Sequence, residues 1–332
     1  MMKRFLTGII VFVMVFVAGV VGFKEWLKPE LQTPTVEQPK EENEEEIEEE
    51  QPETEQKETI SLNERLAGVA GEYYLRVKGD ATLTIATKGD TALGAQSVKK
   101  ITIEGVNGAT LKATGEGAGK IKASGQGVLV LRNFTIIDET PHKGTYYHEY
   151  LAFGGNVIFE NCEFKQSIKV IGDSATFTDC SFDSPWHKYY SVWVGNGTTS
   201  FKNCTFTGYR ALKIHEYEEY EQDILSVEID GCTFNEILEK PGIAIGKFPV
   251  NPEQTAVRVT NCTFTDCQPW DREGSIEGID GFYEADIYTR DFAFYDENNT
   301  VNGQAVSAVF KRIELEENQL PIVEFPAFKN SQ

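Results

Sequence analysis

A short tetrapeptide, Asn-Cys-x-Phe with close variants, recurs five times and constrains the fold more than any other feature of this chain. The copies begin at Asn161, Asp179, Asn203, Gly231 and Asn261. Their cysteines are 18, 24, 28 and 30 residues apart, so five of the six cysteines occupy the same position of one repeat. A repeat of this length predicts a solenoid, in which one small structural unit stacks on the next.

Two upstream segments fit the same frame. Phe134 lies 28 residues before Cys162, and Val106 lies 28 residues before Phe134, which extends the repeat to seven units. Both residues then replace the cysteine, so this position requires a buried apolar group. Six cysteines would suggest disulfides if the chain were exported, but the frame favours free thiols in the core. Cys267 lies outside the frame, and the sequence does not decide whether its thiol is buried or exposed.

Each unit alternates apolar and polar residues around a bend. Val157–Glu160 leads into the bend residue Asn161, and Val257–Thr260 leads into Asn261. The period of two and the β-branched or aromatic residues predict short strands rather than helices. Asn, Asp and Gly tolerate the left-handed backbone of a sharp bend. We therefore predict stacked parallel strands about 4.8 Å apart, with an Asn ladder, a Cys stack and a Phe stack.

This pattern resembles the pectin-lyase-like superfamily over roughly residues 70–310. The segments Ile101–Leu111 and Gly127–Ile136 look like the opening coils of that superfamily. The resemblance implies an all-β fold, a single-stranded right-handed parallel β-helix, with a polysaccharide groove on its outer side. It does not extend to catalytic motifs: Asp-His-Cys at a bend, Arg-x-Pro-x-x-Arg and the Asn-Thr-Asp and Arg-Ile-Lys motifs of polygalacturonases are absent.

The sequence divides into three parts. Residues 1–27 contain Lys3-Arg4 and the uncharged run 5–23, which predicts a transmembrane anchor or, alternatively, a cleaved signal peptide. Residues 28–60 are an acidic, Pro-rich segment that we expect to be a disordered linker. Residues 61–332 are the predicted β-helix with terminal caps, including a short helix at 61–67. The expected location is extracellular, either anchored at the cell surface or secreted.

The charge limits the partners. The chain has a net charge of −21, and residues 37–58, with twelve Glu and two Lys, carry −10 of it. The rest therefore carries −21 − (−10) = −11. An acidic body argues against nucleic acid as a partner. The predicted partners are a polysaccharide or cell-wall glycan, and the membrane through residues 5–23 if they are retained.

One outward column suggests a ligand site. The strand after each long loop places Lys169, Trp193 and Lys213 on adjacent coils, all facing outward. Aromatic rings stack on sugar faces, and lysine or arginine pairs with carboxylates or sulfates. The complete set of predicted ligand-binding residues is Lys169, Trp193, Lys213, Trp186, Tyr190 and Tyr209. The alternative is an ordinary loop surface packed on the stack.

Evidence for catalysis is weaker. Lys169, Arg210, Lys213 and His187 are candidates for the base and the cation of a lyase, but the residues do not decide whether the protein is an enzyme. No metal site is expected. The acidic loop 266–280 matches no calcium motif, so calcium is only a minor alternative to a solvated loop. The sequence thus favours polysaccharide binding, with a polysaccharide lyase, a glycoside hydrolase and a structural or adhesive module as alternatives.

Overall fold

The computed structural model describes residues 59–115, 119–139, 150–184, 190–214, 224–239, 242–245, 255–267, 283–285 and 293–306. Their strands are short, and almost all pair in parallel with the equivalent strand of the next coil. Each coil contributes three strands, so the stack has three faces, which we name A, B and C. The predicted fold class is confirmed: an all-β parallel β-helix with Asn, Cys and Phe ladders.

The three faces run the length of the stack. Face A contains β2 (Gly71–Val77), β5 (Val98–Gly105), β8 (Val128–Arg132), β11 (Asn156–Glu160), the second halves of β13 (Ile168–Thr178) and β15 (Val192–Lys202), β18 (Leu225–Asp230), β21 (Thr255–Thr260) and β24 (Ala293–Glu297). Face B contains β3 (Asp80–Ile85), β6 (Thr110–Gly115), β9 (Thr135–Asp138), β12 (Glu163–Phe164), β14 (Ser181–Ser184), β16 (Thr205–Gly208), β19 (Thr233–Ile237), β22 (Thr263–Thr265) and β25 (Asn299–Val301). Face C contains β4 (Thr91–Leu93), β7 (Ile121–Ala123), β10 (Leu151–Phe153), the first halves of β13 and β15, β17 (Leu212–Ile214), β20 (Ile243–Ile245) and β23 (Tyr283–Ala285).

Short elements close the described part of the stack. At the N-terminal end, β1 (Thr59–Ser61) pairs with β3, and the helix α1 (Leu62–Arg65) follows. The hydroxyl of Ser61 caps α1 by accepting a hydrogen bond from the Glu64 amide, as its residue type favours. At the other end, β26 (Gln304–Val306) pairs antiparallel with β25. The predicted short helix at 61–67 is therefore confirmed, with slightly narrower bounds.

Almost all of the N-terminal predictions lie outside the described residues. These predictions concern residues 1–60, of which the structure describes only Thr59 and Ile60 at the start of β1. Within the part of the chain that the structure describes, no helix is long and apolar enough to cross a membrane. The domain boundaries and the fate of residues 5–23 therefore stay predictions.

The bend residues adopt the backbone that the sequence predicted. Asn133, Asn161, Asp179 and Asn203 have φ between 51° and 58°, in the left-handed region that Asn and Asp tolerate. The side chains also connect neighbouring coils: the Asn161 amide donates to the side-chain oxygen of Asn133 at 2.9 Å. The Asn203 amide donates in the same way to Asp179 at 3.3 Å. The ladder therefore links neighbouring coils at these two pairs of bends.

The prediction that Val106 occupies the buried position of the cysteine is wrong. The bend of its coil is longer, with Asn107 at φ 56° and Gly108 at φ 71°, so Val106 is only half-buried. Ala109 is fully buried instead, and its carbonyl accepts from the Thr135 amide at 3.1 Å. The corresponding carbonyl of Cys162 accepts from Ser181 in the same way. Ala109 therefore takes the core position that the sequence frame gave to Val106.

Two columns of phenylalanine fill the core. The predicted stack on face B places neighbouring rings 4.7–4.8 Å apart and within 11° of parallel. Its rings belong to Phe164, Phe182, Phe206, Phe234 and Phe264. A second stack on face A, formed by Phe159, Phe177 and Phe201, has centroid spacings of 4.8 Å. The sequence frame did not predict this second stack, because it was anchored on the cysteine.

The five cysteines of the repeat are buried free thiols, as predicted. Each donates to a carbonyl of the preceding coil, as Cys204 does to Phe177 at 3.5 Å. The Cys180 thiol lowers the pKa of Cys204, but the Cys232 thiol and burial outweigh it and raise the pKa to about 12. Cys267, outside the repeat, is a half-buried free thiol, and burial raises its pKa to about 12. These thiols are therefore poor nucleophiles.

Candidate functional site

The predicted outward column on face C is in register. Lys169 pairs with Trp193, and Trp193 pairs with Lys213. Ala152 and Ala244 continue the column on either side. The residues that flank them in each strand belong to the core, as the alternation predicted: Leu151, Ile168, Val192, Leu212 and Ile243. We call Lys169, Trp193 and Lys213 the lysine–tryptophan cluster.

The indole ring lies between two ammonium groups. Lys169 Nζ is 4.2 Å from the centroid of the Trp193 ring, and Lys213 Nζ is 5.1 Å from it. Both distances lie within the range of a cation–π interaction. Parallel register places one lysine on the coil before the tryptophan and the other on the coil after it. The ring therefore holds two like charges close together and offsets part of their repulsion.

Two members of the cluster are covered by other parts of the protein. Lys169 and Trp193 are each only 4% exposed, although they point away from the core. Tyr150 explains part of this burial. It lies one coil before Lys169, yet its ring packs edge-on against Trp193 at 5.6 Å. Its side chain therefore crosses the coil that carries Lys169, and its hydroxyl accepts from the Tyr190 amide at 3.2 Å.

The accessible side of the cluster is cationic. Lys213, Tyr209 and Arg210 are half-buried, whereas Tyr190 is 5% exposed. The guanidinium of Arg210 and the ammonium of Lys213 each lie 5.8 Å from the Tyr190 ring centroid. Arg210 Nε also pairs with Glu239 Oε2 at 3.3 Å. Three predicted site residues, Tyr209, Arg210 and Lys213, therefore form the edge that a ligand can reach.

The structure also reveals buried polar groups that sequence reasoning missed. Gln166 and Ser167 precede Lys169 on the same coil and are nearly inaccessible. Among the described residues, the amide atoms of Gln166 and the hydroxyl of Ser167 have no hydrogen-bond partner. The residue types carried no signal, because Gln-Ser before a strand is ordinary loop sequence. The sequence contains one indication of this burial. The step from Cys162 to Cys180 is the shortest in the repeat, so the longer loops of the neighbouring coils can cover this coil.

Several candidates lie outside the described residues. They include Trp186 and His187, and most of the acidic loop 266–280. Among the residues that the structure describes, no group of His, Cys, Asp or Glu side chains is arranged to hold a metal ion. What the described site offers chemically is a set of cations and hydrogen-bond donors on an aromatic base.

Comparison with known protein families, curated proteins and solved structures finds no match for this chain.

Proposed function

We propose that this protein is exported and binds an acidic polysaccharide through the Tyr209–Arg210–Lys213 edge. The observation that supports this most strongly is the concentration of cations around Trp193 and Tyr190 in a chain with net charge −21. Cations held on an aromatic base attract anionic groups, and Glu239 already compensates part of the charge of Arg210.

The geometry suggests a division of roles. Lys213 and Arg210 are positioned to pair with carboxylates or sulfates, which form strong charge-assisted hydrogen bonds. The buried ring of Trp193 fixes the lysines rather than stacking on a sugar. Tyr209, which is half-buried, is the ring that we assign to sugar stacking. Lys169 contributes positive potential from below without direct contact.

The proposal extends to ancestry and location. We infer a distant relationship to the pectin-lyase-like superfamily, supported by the repeat and by the Asn ladder at the bends. We also infer that the body is displayed at the cell surface or secreted, supported by the apolar segment 5–23 and the acidic segment after it. A structural or adhesive role without glycan binding is the alternative outcome of the test below.

The test is calorimetric titration of the protein with a panel of acidic and neutral oligosaccharides. We expect binding of acidic members that weakens with salt. Lys213→Ala and Arg210→Ala should each weaken it about tenfold, or about 1.4 kcal/mol. Lys202→Ala is the matched control, since Lys202 is an exposed lysine on face A. No binding to any acidic glycan, or equal losses in the control, would contradict the proposal. New ultraviolet absorbance from a conjugated uronate product would instead reveal a lyase.

A further inference from the structure

Two neighbouring side chains beside the lysine–tryptophan cluster are buried without hydrogen-bond partners. Gln166 is 8% exposed and Ser167 is 2% exposed. No described residue pairs with the amide nitrogen or the amide oxygen of Gln166, or with the hydroxyl of Ser167. Burial of such atoms without partners is costly, and nearly all buried polar groups in native proteins are paired. Three such atoms on adjacent residues therefore point to a site for a polar group from outside the chain.

The next coil shows that the fold can satisfy a hydroxyl at this position. Ser191 occupies the position of Ser167 one coil later, because β13 and β15 pair in register. The hydroxyl of Ser191 donates to the Arg210 carbonyl at 3.2 Å. Ser167 does not form the equivalent bond to Tyr190 or to any other described residue. The unpaired hydroxyl is therefore a property of this coil and not of the position.

The pair lies under the ring of Tyr150 and in line with the proposed glycan-binding edge. The parallel register places Gln166 one coil before Tyr190 and two coils, or about 10 Å, before Arg210. Tyr150 lies one coil before Ser167, and its hydroxyl reaches the Tyr190 amide at 3.2 Å. The Tyr150 side chain therefore crosses the segment that holds the pair. A sugar chain bound at Arg210 can thus reach the pair when this side chain turns aside.

The unpaired atoms favour a neutral group that both donates and accepts hydrogen bonds. The amide nitrogen of Gln166 donates, its oxygen accepts, and the hydroxyl of Ser167 does both. A carboxylate or a sulfate only accepts, so it would leave the amide oxygen unpaired. Burial of a charged group also costs more than burial of a neutral one. A secondary amide carries one N–H donor and one carbonyl acceptor without charge, which matches the pair.

We propose that Gln166 and Ser167 form a covered subsite for the acetamido group of an N-acetylated amino sugar. The acetamido N–H donates to Gln166 Oε1, and the acetamido carbonyl accepts from Ser167 Oγ. Gln166 Nε2 donates to the sugar hydroxyl next to the acetamido group. The acetamido group projects from the sugar ring and reaches under Tyr150, whereas a ring hydroxyl is too short. This inference rests on the proposed glycan binding and narrows it to acidic glycans that contain N-acetylated sugars.

The test compares two acidic oligosaccharides of equal length and charge by calorimetric titration of the full chain. One alternates glucuronate with N-acetylglucosamine, and the other alternates glucuronate with glucose. We expect the natural sequence to bind the N-acetylated oligosaccharide about fivefold more tightly, as one or two net hydrogen bonds allow. Gln166→Met and Ser167→Ala should each remove most of this preference. Gln126→Met is the matched control and should retain it, because Gln126 is exposed. Lys213→Ala should weaken the binding of both oligosaccharides.

The stability of the free protein gives a second readout. Gln166→Met removes two buried atoms that have no partner, so the melting temperature without sugar should stay the same or rise. A lower melting temperature would indicate a structural hydrogen bond and overturn the subsite. Equal affinity of the natural sequence for both oligosaccharides, or a preference that survives both variants, overturns the subsite and leaves the glycan-binding edge standing. Absence of binding to either oligosaccharide contradicts the glycan-binding proposal and the subsite with it.

Discussion

Truncation of one ring in the middle of the phenylalanine stack should destabilise the protein strongly. Phe206 is fully buried and stacks on Phe182 and on Phe234, each at 4.7 Å. It also contacts Phe201 edge-on at 5.7 Å. A buried Phe→Ala change typically costs about 3–5 kcal/mol, and each aromatic pair adds about 0.5–1.5 kcal/mol. Phe206→Ala should therefore lie at the upper end of that range, at about 5 kcal/mol.

The assay for this prediction is urea unfolding followed by circular dichroism. Because each coil contacts only its neighbours, a weakened central coil should also uncouple the two halves of the stack. The transition should then broaden and its slope should fall. Phe206→Leu is the matched control; it keeps most of the apolar volume but no ring, and should cost clearly less. A loss below about 1 kcal/mol in Phe206→Ala would refute the packing argument, because it would place this ring outside a close-packed core.

Three further predictions concern the thiols and the glycine bends. All six cysteines should titrate as free thiols in the denatured, unreduced protein, and a near-zero thiol count would contradict the buried ladder. The pKa values of Cys180 and Cys204 rise to about 12 in the folded protein, whereas an unfolded thiol titrates near about 8.5. The folded state thus retains protons that the unfolded state releases. The free energy of unfolding should therefore be at its full value below the unfolded pKa and should fall as the pH rises from there towards 12. Unfolding measured between pH 7 and pH 11 checks this, and Cys204→Ala should flatten the decline. Gly197→Ala should cost more than about 2 kcal/mol, because φ is 80° and the added Cβ would lie 1.9 Å from the Gly172 carbonyl. Gly71→Ala, with φ 62° and open space around it, should cost only about 1 kcal/mol; equal costs would argue against the close contact.

The fold could be predicted from the sequence because one residue sets the phase of each coil. After a left-handed Asn such as Asn161, the next residue must face the core, the one after it must face outward, and the third must face the core again. This order does not depend on loop length, so it survives Cys-to-Cys steps from 18 to 30 residues. Register across Lys169, Trp193 and Lys213 followed from the same rule and agrees with the strand pairing.

The phase rule failed where a bend gained residues or a core position changed type. The bend around Asn107 has extra residues, so an equal spacing of 28 pointed to Val106 while Ala109 entered the core. Near the C-terminal end, Asn299 takes the position of the cysteine. Its amide oxygen accepts from the Cys262 amide at 2.9 Å, and its amide nitrogen donates to the Val259 carbonyl at 3.0 Å. A buried Asn that satisfies its own polar atoms carries no apolar signal in the sequence.

The accessibility of the site could not be predicted from alternation. Alternation gives the face on which a side chain lies, but it does not say what packs over that face. Tyr150 covers Lys169 by crossing a short coil to reach Trp193 and Tyr190. That contact depends on side-chain direction and on the lengths of neighbouring loops. The residues of the site that a ligand can reach are therefore Arg210 and Lys213, and not Trp193.

The most direct test of the account is the fluorescence of Trp193 in a protein whose other three tryptophans are replaced by phenylalanine. The account predicts the emission of a buried indole, shielded from acrylamide, with a spectrum that changes in Lys169→Met because the ammonium lies 4.2 Å from the ring. Addition of an acidic oligosaccharide should shift the emission in this protein but not after Lys213→Ala. Emission typical of a solvent-exposed tryptophan, unchanged by Lys169→Met, would contradict both the alignment of the coils and the site built on it.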